Sequence, residues 1–234
     1  MNSTRDITAS GFAALSAAPL FKDIPEQATR DIFAAARPIS LRKGQRLFGY
    51  GDAGGSMFVV VKGIIEISIS TASGRKISLN MMSQGNCFGE ISMLDGGSRS
   101  AAAVALAASS LLSIPRAAFL ASAGTYPELA LALAVMLSER VRWISDSVED
   151  YALLPLDRRL ARRILILFDR FGGADNVIGI SQGDLADFAG ATRESTNKIL
   201  ADWRRRGWIS MSRKHIALLD RDSLDQFAMS PRAG

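Results

Sequence analysis

From Ile39 to Ile114 the chain is a succession of short β-prone runs broken by glycine, and this limits what it can fold into. The runs are Arg46–Phe48, Met57–Lys62, Ile64–Ser70, Lys76–Met82, Ala102–Ala105 and Leu111–Ile114. Between them stand Gly44, Gly49, Gly51, Gly54-Gly55, Gly63, Ser73-Gly74, Gly85 and Gly96-Gly97. Many short strands at near-regular spacing indicate a sandwich or a small barrel. Helical patterns flank this region. Phe12, Leu15, Ala28, Ile32, Phe33 and Ala36 recur at helical spacing across residues 8–37, punctuated by Pro19, Pro25 and Pro38. The class expected is therefore α+β.

Inside the glycine-rich region, residues 88–101 hold Glu90 and Arg99, nine residues apart, in a small-residue loop. Gly89 has no Cβ, so a ligand can approach the backbone there. The segment Glu90 to Leu94 can make one helical turn whose free N–H groups suit an anion. Arg99 adds a planar fork of donors matched to two phosphate oxygens. An ionised Glu90 only accepts hydrogen bonds, so it suits a sugar hydroxyl and repels a phosphate. Taken alone, the pair also fits a solvated loop ion pair.

The run Phe-Gly-Glu-Ile-Ser-Met-Leu (88–94), followed by Arg-Ser-Ala (99–101), resembles the phosphate-binding cassette of cyclic-nucleotide-binding domains. The resemblance is to the Crp/Fnr family of bacterial transcription regulators and covers roughly residues 15–225. It implies a β-roll, whose turns fall at Lys43-Gly44, Gly51-Asp52 and Lys62-Gly63. It places Gly89 and Glu90 on the ribose side of a cyclic nucleotide and Arg99 and Ser100 on its phosphate. Ile91, Ser92 and Ala101 complete the ligand-binding set within the cassette.

Pro127 to about Leu154 is the longest helical pattern. Ala130, Ala134, Leu137, Val141, Ile144, Val148 and Tyr151 alternate steps of four and three, a heptad seam over three repeats. The pattern supports a coiled coil or an amphipathic helix packed on its own domain. The resemblance makes this helix a homodimer interface covering the nucleotide. It places Ser145 where a hydroxyl meets the base and Arg140 where an arginine meets the cassette glutamate. Ile144 stands where the family's best-known member has threonine, which leaves cyclic AMP and cyclic GMP both open as effectors.

Pro155 and Asp157 close that helix and start another. Arg158–Phe171 reads as amphipathic, with Leu160, Ile164, Leu167 and Phe168 on one face and its arginines mostly on the other. Residues 180–200 read as a helix-turn-helix. Ser181 caps a short helix that buries Leu185 and Ala186. Gly190 supplies the tight turn, and Thr192 caps a second helix anchored by Ile199 and Leu200. Arg193, Glu194, Asn197 and Lys198 are expected on its exposed N-terminal half, with Ser195 beside them. That half of a recognition helix meets base edges. Arg193 can bond guanine O6 and N7, and Glu194 can accept from cytosine N4. Beyond it, Arg204–Arg206, Gly207 and two short strands around Lys214 and His215 describe a winged helix. Arg204–Arg206 and Lys214 are candidate phosphate contacts. Trp203 and Trp208 are expected in the core, and His215 in a turn.

Charge agrees with a polyanionic partner at the C-terminal end. Residues 1–153 carry 14 Lys/Arg against 13 Asp/Glu, whereas residues 154–234 carry 14 against 10. Cys87 and His215 are the only cysteine and histidine. One chain therefore cannot assemble a disulfide, an iron–sulfur cluster or a Cys/His metal site, and haem or metal sensing is not expected. No Ser/His/Asp or Cys/His set can be drawn, so an enzyme is not expected. The N-terminus makes a poor secretory signal and no apolar run is long enough for a bilayer span, so a cytoplasmic location without membrane contact is expected.

These readings combine into three expected parts. Residues 1–126 form the sensor, 127–154 the dimerisation helix and hinge, and 155–234 the winged helix-turn-helix. The function implied is an allosteric, cyclic-nucleotide-controlled regulator that binds a palindromic DNA site as a homodimer and works with RNA polymerase. Two alternatives remain open. One is a DNA-binding regulator that answers another effector or none, and the other is a cyclic-nucleotide sensor that does not bind DNA.

Overall fold

The computed structural model describes residues 2–71, 76–212 and 214–229, with side chains from Ser10 onward. The turn expected at Ser73-Gly74 lies outside the described residues. Contacts divide the chain into two units, Met1–Ile69 with Leu79–Arg142, and Ser70–Ser78 with Trp143–Gly234.

The first unit begins with α1 (Asn2–Ala17) and α2 (Glu26–Ala35). Eight strands follow: β1 (Arg37–Leu41), β2 (Arg46–Phe48), β3 (Ser56–Lys62), β4 (Ile65–Ser70), β5 (Lys76–Met82), β6 (Cys87–Phe88), β7 (Ala102–Ala105) and β8 (Ser109–Pro115). They form two sheets, β1-β8-β3-β6 and β2-β7-β4-β5. A short helix, α3 (Glu90–Asp95), interrupts them, and α4 (Arg116–Thr125) and the start of α5 (Pro127–Leu153) follow.

Strand β3 shows why both faces of its sheet are apolar. Phe58 and Val60 point into the roll beside Ile65, Phe88 and Leu111. Met57, Val59 and Val61 point the other way, against Leu15, Leu20, Ile32, Phe119 and Leu129 of the helical layer. The two-residue alternation of a strand thus serves two cores at once.

Two strands escape the sequence pattern. β6 has two residues, too few to show a period. β1 contains Pro38, which reads as a breaker. As an edge strand, however, β1 tolerates the missing N–H.

The second unit holds the rest of α5, then α6 (Leu156–Phe171), β9 (Val177–Ile178), α7 (Gln182–Ala189), α8 (Arg193–Arg205), β10 (Ile209–Ser212), β11 (His215–Leu218) and α9 (Arg221–Met229). The small sheet runs β10-β11-β9. As expected, Leu160, Ile164, Leu167 and Phe168 are buried, but so is one arginine of the same helix. Arg163 is 2% exposed. Its guanidinium lies among the rings of Trp143, Tyr151 and Phe188, at 5.6, 5.5 and 5.5 Å.

Trp203 is buried as expected, whereas Trp208 is only half-buried, beside Phe227 at 5.4 Å between ring centroids. His215 begins a strand rather than sitting in a turn, and is exposed. The heptad positions Val141, Ile144 and Val148 are 63%, 52% and 61% exposed, so the described residues leave this part of the seam largely uncovered. No single described helix is long and apolar enough to cross a membrane.

Candidate functional site

The cassette begins where β6 hands over to α3. Gly89 caps α3 at φ +79°, a conformation that costs glycine little. A β-carbon there would lie 2.7 Å from Arg99 Nη1 and 3.2 Å from the Phe58 ring. The turn directs Glu90 inward, where it is 1% exposed. Its Oε1 accepts from Arg140 Nη1 at 2.5 Å, and Arg140 Nη2 donates to the Cys87 carbonyl. Its Oε2 is buried without a partner.

Arg99, 5% exposed, comes from the loop before β7. Nη1 donates to the Gly89 carbonyl at 2.9 Å and to Ser92 Oγ at 2.8 Å, and Nη2 donates to the Ser56 carbonyl at 2.8 Å. The guanidinium also stacks over Phe48, 4.3 Å from the ring centroid, with Phe58 at 5.2 Å. Burial lowers its pKa from the usual arginine value, while Glu90 and Asp52 act in the opposite direction. The fork that the sequence offers to two phosphate oxygens is therefore spent on protein acceptors in this conformation. Only Nε remains buried without a partner.

Those two orphaned atoms define what the cassette can take. Glu90 Oε2 accepts and Arg99 Nε donates, so a hydroxyl and an anion in one ligand would satisfy both. The residues present therefore fit a ribose cyclic phosphate. Gly89, Glu90, Ser92, Arg99 and Arg140 converge. Ala101 is buried, Ile91 and Ser100 are exposed, and Ile144 and Ser145 belong to the other unit, where both are exposed.

Ser56, Phe48 and the Cys87 carbonyl join the site without a signal in the sequence. Two of these act through backbone atoms, which leave no trace in residue type. Cys87 itself is buried, and burial pushes its thiol up to about 12. This is the inert structural thiol expected of such a site.

The second candidate site lies on α7 and α8. Ser181 Oγ accepts from the Asp184 N–H at 3.1 Å and donates to its carboxylate at 2.6 Å. Thr192 Oγ1 accepts from the Ser195 N–H at 3.2 Å. Gly190 turns between the helices at φ +63°. Thr196, Leu200 and Trp203 face the core, while Ile199 is only half-buried. That leaves Arg193, Glu194 and Lys198 outward. Glu194 and Lys198 pair with each other at 2.8 Å.

Asn197 corrects the expectation of exposure. It is half-buried, and its Oδ1 is enclosed without a partner because the residue lies at the edge of the core-facing stripe. A cavity of about 290 Å³ beside α8 is lined by Ser181, Gln182, Arg193, Met211, Lys214 and His215. Of the three arginines ending α8, Arg205 and Arg206 pair with Asp202 at 2.8 and 2.7 Å, which reduces their availability to phosphates.

Known proteins place this geometry. Residues 38–126 match the cyclic nucleotide-binding domain, and residues 158–227 match the Crp-like helix-turn-helix domain. The chain is 28% identical over 215 residues to the CRP-like cAMP-activated global transcriptional regulator of Mycobacterium tuberculosis, covering 90% of this chain and 96% of that one. It is 27% identical over 207 residues to the global nitrogen regulator of Synechococcus elongatus, covering 84% and 93%. The structure of FixK2 from Bradyrhizobium japonicum superposes with a TM-score of 0.77 at 22% identity, covering 84% of this chain and 99% of that one. With a nucleotide-binding domain followed by a DNA-reading one, the chain is a DNA-binding transcription regulator and belongs to the Crp/Fnr family.

Proposed function

We propose that a cyclic nucleotide controls this regulator through the cassette, cyclic AMP being the first candidate and cyclic GMP the second. The observation that carries the reading is the pair of orphaned buried atoms, Glu90 Oε2 and Arg99 Nε, in one loop. Glu90 takes a ribose hydroxyl, Arg99 and Ser100 take the phosphate, and Arg140 keeps the buried carboxylate compensated. The functional division is a sensor over residues 1–126, a dimerisation helix and hinge over 127–154, and a reading head over 155–234.

The exposed run Val141, Ile144 and Val148 supports pairing of α5 with the same helix of a second copy. A homodimer presents two α8 helices to successive major grooves, which calls for a palindromic operator. Effector binding shifts the population toward the conformer whose helices match that spacing, and it can do so only through unequal affinity for the two conformers. Arg193 and Glu194 read bases, and Thr192, Ser195 and Lys198 help seat the helix. Such a protein acts in the cytoplasm with RNA polymerase and catalyses no reaction.

Calorimetric titration with cyclic AMP and cyclic GMP, with Arg99→Ala as control, tests the reading. Saturable heat with either nucleotide, lost in the control, supports it. Absence of heat with both leaves the second reading, a regulator answering another effector. That reading is favoured by the inward commitment of the Arg99 fork.

A further inference from the structure

We propose that Ser92 sets the affinity of the cassette by competing with the effector's phosphate for Arg99. This rests on the cyclic-nucleotide reading above and goes beyond it. Both hydrogens of Arg99 Nη1 are taken, one by the Gly89 carbonyl and one by Ser92 Oγ, and Nη2 serves the Ser56 carbonyl at 2.8 Å and Ser56 Oγ at 3.5 Å. A two-oxygen grip on a phosphate needs two neighbouring N–H groups of the fork. Only Nε is spare, so the grip requires at least one of these bonds to break.

Two of the four acceptors are backbone carbonyls, and Ser56 Oγ is remote at 3.5 Å. The fourth, Ser92 Oγ, is the one side-chain acceptor within 3 Å. It is there because Gly54 lacks a side chain. A β-carbon at residue 54 would lie 2.2 Å from Ser92 Cβ and 2.3 Å from its Oγ. Gly54 and Ser92 together thus form a built-in acceptor that holds the guanidinium in this inward conformation, stacked on Phe48. A hydrogen bond to a charged group is among the stronger ones a protein makes. Its loss from the ligand-free state alone would raise affinity about tenfold. Ser92 therefore acts through Arg99, as a positioning residue that opposes binding.

The test is Ser92→Ala, which keeps the β-carbon against Gly54 and removes only the acceptor. Wild type and variant are titrated with cyclic AMP, cyclic GMP and adenosine, the last by displacement of the bound cyclic nucleotide. The expected result is about tenfold tighter binding of the cyclic nucleotide, no gain for adenosine, which has no phosphate, and a lower melting temperature of the variant without ligand. Equal or weaker binding by the variant, while the wild type still binds, overturns the proposal and leaves the cyclic-nucleotide reading standing. An equal gain for adenosine overturns it as well, because it would mark general loosening. Binding of neither cyclic nucleotide to either protein removes the cyclic-nucleotide reading and this proposal with it. Should the alanine variant fold poorly, Ser92→Gly carries the same comparison.

Discussion

A methyl group on Gly190 would lie 2.6 Å from the Tyr151 ring, so the last turns of α5 close directly over the turn of the helix-turn-helix. The position is also held at φ +63°, where an L-residue is strained.

Gly190→Ala is expected to destabilise the protein by about 2 kcal/mol or more, from backbone strain plus ring overlap, and to weaken DNA retention. Tyr151→Ala in the same chain should relieve the overlap but not the strain, so the double variant loses less than the two single losses combined. Denaturant unfolding of the four proteins measures this. Strict additivity would refute the contact.

Removing Arg140 leaves the Glu90 carboxylate buried with neither oxygen compensated. Breaking a buried pair from one side is far costlier than its net worth. Arg140→Gln should therefore cost about 3 kcal/mol in urea unfolding. A change within 0.5 kcal/mol, the usual range for surface substitutions, would show that Glu90 finds another partner.

Arg163 provides a contrast, because its guanidinium lies among three rings and its Nε has no partner. Burial lowers its pKa from the usual arginine value, with Tyr151 and Asp150 acting against this. Arg163→Met keeps the volume and removes the desolvation cost, so stability should stay within about 1 kcal/mol or rise. Arg163→Ala opens a cavity and should lose about 2 kcal/mol or more. A methionine variant as damaged as the alanine one would show that the charge itself stabilises this cluster.

Cys87 gives a pH signature. Its thiol is pushed from 9.0 to about 12 by burial, so the folded state holds the proton more tightly than the unfolded chain does. Between those two values the unfolded state binds fewer protons, and stability falls as pH rises. Well below pH 9.0 the thiol is protonated in both states and contributes no slope. Comparing wild type with Cys87→Ala from pH 8 to 10 by chemical denaturation should show the steeper decline in the wild type. Parallel curves would contradict the shift.

Much of this was legible in the residues because it is local. Ser181 and Thr192 cap the helices they begin, Gly190 makes the turn between them, and six of the eight strands of the first unit follow from apolar runs between glycines. Gly89, Glu90 and Arg99 could be singled out because motif spacing carries their chemistry, whereas Arg140 came only from the family resemblance. The strands β6 and β9, two residues each, were not legible, since no period fits in two residues. Neither was β1, where Pro38 is tolerated only because the strand lies at an edge.

The residues alone thus specify the helix caps, six strands of the first unit and the cassette motif. Tertiary structure alone decided where the charges point. The fork of Arg99 is claimed by the carbonyl of Ser56, 43 residues away. Arg163, which the helical pattern puts among its solvent-facing arginines, is enclosed by rings from α5 and α7. Each of these outcomes is a competition among acceptors, rings and water for one charged group. It is settled by distances of a few ångströms that only the folded chain defines.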